Sequence, residues 1–314
     1  MQGSAEQGAG QSYDTGEEDI QLIMSKHLPE WLRAETPTGE LLKGVQTEVQ
    51  ASNIQMACLL SRCPNQKECL SRGQAAFILL GITCTRRCAF CAVGTGAPNS
   101  GADPDEPVRV AKAVTHLGLE HVVLTSVTRD DLPDQGAGQF AVTVKLIRKW
   151  VPTARVEITI PDMQGREDLL AILASSRPDV LGHNLETVRR LQPMIRDRRA
   201  GYQRSLEVLR MVKRLDRDIL TKSSLLLGLG ETREEVSETL HDLRGAGVEA
   251  LSIGQYLRPK GGRLAVARYV RPEEFKDIGM EALAAGFRYV ASGPLVRSSY
   301  WTGSAFEKLK DVGR

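Results

Sequence analysis

The sequence predicts an α/β protein whose body is a partial (βα)6 barrel, TIM-like, with an N-terminal and a C-terminal extension. Two patterns predict it. Short apolar runs of the kind found in buried parallel strands start every 25 to 45 residues. Stretches with helical spacing lie between them, and strands joined by helical crossovers make a parallel sheet. An open doubly wound sheet produces the same alternation and is the competing architecture. In both, functional residues belong at the carboxyl ends of the strands.

Residues 1–18 are Gly, Ser, Gln and Glu with almost nothing apolar, which predicts a disordered tail. From Asp19 the segment IQLIMSKHLPEWL mixes apolar and polar residues, as an extension lying over a larger surface does. Pro37, Gly39 and Gly44 then interrupt the chain, and a helix is predicted over 41–60. AAFILLGI (75–82) is the first strand-like run, and Asp105, Glu106 and Pro107 signal the start of a helix over 108–117. Strand and helix then alternate: 121–127 strand, 138–150 helix, 155–160 strand, 166–175 helix, 179–184 strand and 202–215 helix. A strand at 219–230, a helix at 232–246 with Gly247 just past its end, and a strand at 249–257 follow. A helix at 272–285 before Gly286 and a strand at 287–292 complete the body. The expected parts are a tail (1–18), an extension carrying three cysteines (19–73), the barrel (74–292) and a C-terminal extension (293–314).

Composition excludes several classes. With 41 Lys+Arg against 39 Asp+Glu the net charge is +2, so no bulk charge argues for nucleic acid or a membrane as partner. The longest apolar run, 75–82 with Gly81 inside it, falls far short of the roughly 20 residues a membrane helix needs. The first residues lack a basic region followed by an apolar one, and Glu17, Glu18 and Asp19 argue against a transit peptide. A cytoplasmic protein is expected.

All six cysteines fall between Cys58 and Cys91. A reducing compartment disfavours disulfides, so clustered thiols read as metal ligands. Cys84, Cys88 and Cys91 form CxxxCxxC directly after the first strand, where a functional loop belongs. Three thiolates without a fourth suit a cubic [4Fe–4S] cluster with one iron open, whereas structural zinc takes four closed ligands. A zinc knuckle borrowing a histidine is the bland alternative. Cys58, Cys63 and Cys69 form a second trio, with Pro64 and Asn65 making the turn between them. Six cysteines thus divide into two incomplete cluster sites.

CxxxxCxxxxxC followed by CxxxCxxC resembles the lipoyl synthase family of radical S-adenosylmethionine (SAM) enzymes. The resemblance runs from PEWLR (29–33) through HVVLTSVTRDDLPDQGA (121–137), HNLETV (183–188), GLGET (228–232), GQYLRP (254–259) and RYVRPEEF (268–275) to GPLVRSSY (293–300). This chain departs from the family pattern at Leu59, Leu60, Leu70, Ala92 and Trp301, none of which replaces an expected iron ligand.

The resemblance implies insertion of two sulfurs at C6 and C8 of a protein-bound octanoyl-lysyl group, with two [4Fe–4S] clusters and SAM as cofactors. It assigns SAM to the cluster on Cys84, Cys88 and Cys91, and sulfur donation to the auxiliary cluster on Cys58, Cys63 and Cys69. Ser299 of RSSY is the implied fourth ligand of the auxiliary cluster, with Ser298 as its rival. Asn184 and Glu186 are implied to bind the ribose of SAM. Arg199 (or neighbouring Arg198) is a candidate for its carboxylate, since a guanidinium fork matches a carboxylate, and Ser126, at the end of the second strand, is a candidate for its methionyl end, with a solvated loop hydroxyl as the alternative. The implied partners are an octanoylated lipoyl carrier domain (the glycine-cleavage H protein or the E2 subunit of a 2-oxoacid dehydrogenase), an electron donor such as flavodoxin or ferredoxin, and an iron–sulfur carrier.

Other features read more plainly. GLGET lacks the Lys-Ser/Thr of a P-loop. Its glycines are expected to bring the fifth strand close to the cofactor, with Thr232 capping the next helix. His27, His116, His121 and His241 show no ligand spacing. Arg86 and Arg87 read as a solvated face, and the Arg-rich stretch 189–204 is no more specific.

Overall fold

In the computed structural model, which describes residues 28–33 and 39–300, strand and helix alternate as the periodicity predicts. The order is β1 (Gln74–Leu79), α1 (Glu106–His116), β2 (His121–Ser126), α2 (Ala137–Trp150), β3 (Arg155–Thr159) and α3 (Glu167–Ser175). β4 (Val180–Gly182), α4 (Tyr202–Leu215), β5 (Leu220–Leu227), α5 (Arg233–Gly245), β6 (Ala250–Gln255), α6 (Pro272–Ala284) and β7 (Tyr289–Ser292) follow. The seven strands pair in parallel and in chain order, and Gln55–Met56 adds an antiparallel edge against β1. That order has no reversal, so the sheet is the partial (βα)6 barrel and not a doubly wound sheet.

Residues 1–36 and 37–314 form two compact units. In the first unit, Glu30–Leu32 forms a 3₁₀ turn. The expected tail, His27, Trp301 and the rest of 301–314 lie outside the described residues.

One element departs from expectation. The helix predicted over 41–60 ends at Ala51. Asn53 takes the left-handed conformation (φ 48°), which stops the helix. Ile54 and Met56 are then buried as an extended segment, and the chain re-enters a short helix, Ala57–Leu60, carrying Cys58. The expected cap at Thr232 is present. Its hydroxyl accepts the Glu235 N–H while the Glu235 carboxylate takes the Thr232 N–H.

Strand alternation sorts side chains between two faces. Phe77, Leu79, Val122, Leu124 and Ile158 pack outward against α1–α3, and Leu225, Leu227, Leu251 and Ile253 against α4–α6. The opposite, lumen positions mix apolar residues such as Ile78, Val123 and Leu220 with polar ones, and Lys222 and Glu157 are buried there. Lys222 Nζ donates to Glu157 Oε1 at 2.8 Å, and His121 Nε2 lies 3.7 Å from the other oxygen. Burial opposes charge on Glu157, but attraction to Lys222 and the contact with His121 outweigh it and hold the carboxyl at about 2. Among the described residues no helix is long and apolar enough to cross a membrane.

Lys222→Met removes the cation from beside the buried Glu157 carboxylate and leaves His121 near it, and urea unfolding at pH 7 should show a loss of about 3–5 kcal/mol. Glu157→Gln with Lys222→Met should lose less than that. A depressed carboxyl stabilises the fold above its unfolded pKa and ceases to do so as pH falls towards the folded value. The gap between parent and Lys222→Met should therefore narrow on acidification.

Candidate active site

The loop after β1 carries Cys84, Cys88 and Cys91, and its ends are joined by a two-residue parallel ladder between Thr83–Cys84 and Gly94–Thr95. Arg86, inside the loop, is buried. Its guanidinium donates to both oxygens of Asp130, at 2.9 and 2.8 Å, and lies 2.7 Å from Asp162 Oδ1. Asp130 follows β2 and Asp162 follows β3, so one arginine pins the loop to two strand ends. This overturns the expectation of a solvated face at Arg86. Burial opposes charge on Asp130, but hydrogen bonds from Arg86 and Gln164 keep its carboxyl at about 2.

Each thiol of this trio accepts a backbone N–H: Cys84 from Arg86 (3.4 Å), Cys88 from Asp197 (3.3 Å) and Cys91 from Val93 (3.5 Å). Such donors favour the thiolate. Burial acts the other way, raising Cys88 and pushing Cys91 up to about 11, with Cys88 and Cys84 adding repulsion at Cys91. The Asp197 carboxylate also takes the Arg87 N–H at 2.8 Å, so the 195–199 segment braces the loop from the β4 side.

The residues expected around SAM lie at the same mouth. After β4, Glu186 bridges to β5 through its own N–H and C=O. Its carboxyl is raised by burial, while Arg196 and a hydrogen bond from Asn184 pull it down. Ser126 ends β2 with its hydroxyl buried and unpartnered among the described residues. Arg199 is at the loop, but its guanidinium is taken by Asp197, Asp130 and the Thr85 carbonyl. Arg196 is the freer guanidinium. Its Nε is buried without a partner among the described residues, and it acts electrostatically on Glu186 and Cys88. His183 binds the Ile160 carbonyl and the Ser205 hydroxyl, and burial lowers it to about 4.

Cys58, Cys63 and Cys69 line a second cavity together with Asn65, Gln74, Arg297 and Ser299. Ser298 is not on its wall. The C-terminal segment reaches this cavity by crossing β6 at Gly254, where a Cβ would sit 2.0 Å from the Val296 carbonyl oxygen. Asn65 Nδ2 donates to the Leu295 carbonyl (2.8 Å), Gln74 Nε2 to the Ser299 carbonyl (2.7 Å) and Tyr300 Oη to Glu68 (3.2 Å). Burial, then repulsion from neighbouring cysteines, pushes Cys58 to about 11 and Cys69 to about 12. Burial also raises Cys63, against the pull of the Asn65 N–H and Arg297.

All six thiols are free. Among the described residues no three Cys, His, Asp or Glu have the spacing to hold one metal ion.

Sequence reasoning missed Asp130, Asp162, Asp197, Arg196 and Arg297. A usable signal existed for two of them: TRDD and IPD follow the ends of β2 and β3, placing carboxylates at strand ends where they meet Arg86 of the loop. GLGET behaves differently from expectation. Gly228 (φ 90°) makes room for Gln255 and the Arg268 carbonyl, which a Cβ would meet at 2.1 and 2.4 Å.

Residues 78–243 match the family model for the radical SAM superfamily. The lipoyl synthase of Methanocella arvoryzae is 48% identical over 278 residues, covering 88% of this chain and 94% of that protein. The lipoyl synthase of Pyrobaculum calidifontis is 48% identical over 291 residues, covering 91% and 99%. Among solved structures, methylornithine synthase (PylB) aligns with a TM-score of 0.50 at 14% identity, covering 87% of this chain and 95% of its own. HydG, a maturase of the [FeFe]-hydrogenase, aligns with a TM-score of 0.54 at 11% identity, covering 94% and 78%. At such identities the two structures speak for the fold.

Arg86→Met leaves Asp130 and Asp162 without their shared cation. We expect a stability loss of about 3–5 kcal/mol in thermal or urea unfolding, with faster amide exchange across 84–91. Arg86→Lys should recover only part of it, because a point charge cannot replace a planar fork between two carboxylates.

Proposed function

The chain belongs to the lipoyl synthase family of the radical SAM superfamily, and from that premise we propose that it inserts sulfur at C6 and C8 of an octanoyl-lysyl group on a lipoyl carrier domain. The carrier is the H protein or the E2 subunit of a 2-oxoacid dehydrogenase. Reading the chain as a radical SAM sulfurtransferase calls for a [4Fe–4S] cluster and SAM, and the second cluster is part of the proposal. The observation that carries it is the cavity in which Cys58, Cys63 and Cys69 meet Ser299, set apart from the loop of Cys84, Cys88 and Cys91.

When bound, SAM on the first cluster supplies a 5′-deoxyadenosyl radical able to take hydrogen from an unactivated methylene, and the auxiliary cluster supplies the sulfurs. The chain's own residues hold and shield these groups. Cys84, Cys88 and Cys91 present three sulfurs already aligned by backbone N–H donors. Asn184 and Glu186 face the ribose, and the unpartnered Ser126 hydroxyl suits the methionyl end. We assign the SAM carboxylate to Arg196 and give Arg199 the bracing of the loop, because the donors of Arg199 are already used. Ser299 completes the auxiliary set in place of Ser298. A hydroxyl oxygen is a hard ligand beside three soft thiolates, hence a weak one suited to release. Reducing equivalents from a flavodoxin or ferredoxin and an iron–sulfur carrier complete the scheme.

Two experiments test this. Anaerobically reconstituted protein should hold about eight irons, and Cys58→Ala about four, given four per cubane. That variant should still cleave SAM while adding no sulfur to an octanoylated peptide, read by mass. Loss of both activities with the other cluster intact would refute the division of labour. Ser299→Ala should change the Mössbauer signature of the auxiliary cluster, and Ser298→Ala should leave it as in the parent.

A further inference from the structure

The chain is nearly neutral, at +2 overall, yet guanidinium groups crowd one flank of the cluster loop. Arg198, Arg199 and Arg204 line an open pocket with Gln164 and Gly201 at the start of α4. Arg87 sits on the loop itself, with its N–H held by Asp197. The local charges do not cancel. Arg86, Arg199 and Arg204 face the carboxylates of Asp130, Asp162 and Asp197. Arg87 and Arg198 are exposed and, among the described residues, their guanidinium groups have no partner. Two unopposed positive charges therefore belong to this flank: Arg87 adjoins Cys88 in sequence, and Arg198 adjoins the residue whose N–H reaches the Cys88 sulfur.

We propose that this flank, centred on Arg87 and Arg198, is the docking surface for an acidic one-electron carrier protein that reduces the cluster on Cys84, Cys88 and Cys91. The proposal rests on the function argued above. Charge complementarity steers encounter and raises association rates, and this surface ends one residue from a cluster ligand. Topology separates it from the octanoylated carrier, the other protein the reaction involves. The octanoyl chain has to lie between the SAM loop and the auxiliary cavity, which is built on β1 and the segment after β7. Arg198 follows β4, across the mouth from that cavity, and Arg87, on the loop after β1, is drawn to the same side by the Asp197 carboxylate that accepts its N–H, so this flank is left for the donor. The step it serves is balanced: the donor is oxidised by one electron and the cluster reduced by one.

The test uses the full chain with reconstituted clusters, reduced anaerobically in a stopped-flow instrument by an acidic reduced ferredoxin or by dithionite. For Arg87→Glu with Arg198→Glu, the second-order rate with ferredoxin should fall by about tenfold or more at low salt and lose most of its salt dependence. Dithionite reduction and iron content should match the parent, and Arg87→Lys with Arg198→Lys should keep most of the ferredoxin rate. An unchanged ferredoxin rate in the Glu variant overturns the proposal. So does a rise in KM for the octanoylated carrier with dithionite as reductant, which would make the flank a carrier site. A parent protein that binds no reducible cluster would instead sink the reading of function, and this inference with it.

Discussion

The mouth of this barrel depends on one buried cation. Arg86 reaches from the cysteine loop into the gap between the ends of β2 and β3, where Asp130 and Asp162 would otherwise face each other across a poorly solvated space. Like charges held there would drive the strand ends apart or force one carboxyl to take up a proton. The guanidinium resolves that repulsion and brings the loop with it. The consequence reaches the sulfurs. Once Arg86 is fixed its own N–H points at Cys84, and the ion network continues through Arg199 to Asp197, whose N–H points at Cys88. A charge cluster thus sets the directions of two backbone donors, and those donors set where two of the three thiols face.

The second trio is assembled by a different device. Its three thiols come from one short stretch, but the hydroxyl beside them arrives from the far end of the chain, about 230 residues away, and is held there by side chains. Asn65 and Gln74 each donate to a carbonyl of the incoming segment, and Tyr300 bonds to Glu68. Such bonds contribute about 0.5–1.5 kcal/mol apiece. Three of them hold the segment in place without making it immovable. Close approach requires that β6 have no side chain at Gly254, since a methyl group there would occupy the position of the Val296 carbonyl.

Much of the barrel was legible because its signals are local. A run such as HVVLTS or an amphipathic stretch such as Tyr202–Leu215 declares its period within a dozen residues, and the structure follows it. The helix predicted over 41–60 failed because Asn53 adopts a backbone conformation that no apolar period records. The cysteine trios were legible from spacing, and Ser299 only from family resemblance, since nothing near RSSY announces that it folds back on residues 58 to 74. Arg86 was misread for a related reason. An arginine in a polar loop is solvated unless carboxylates converge on it, and both of its partners are set by the ends of separate strands.

Two buried titratable groups of the barrel are held away from neutrality, His183 against α4 and Glu157 in the lumen. A general acid or base works best with a pKa near the operating pH. His183 has both ring nitrogens engaged and is pushed down to about 4, so it stays neutral near pH 7. Glu157, held at about 2 beside Lys222, stays ionised. Neither is poised to shuttle a proton. Further along β5 and β6 the lumen carries Ser224 and Ser252, whose hydroxyls are buried and unpartnered among the described residues. Those hydroxyls can orient a ligand by hydrogen bonding but do not titrate near neutrality. Hydroxyls of that kind position a substrate, which is what cofactor-borne chemistry asks of the protein.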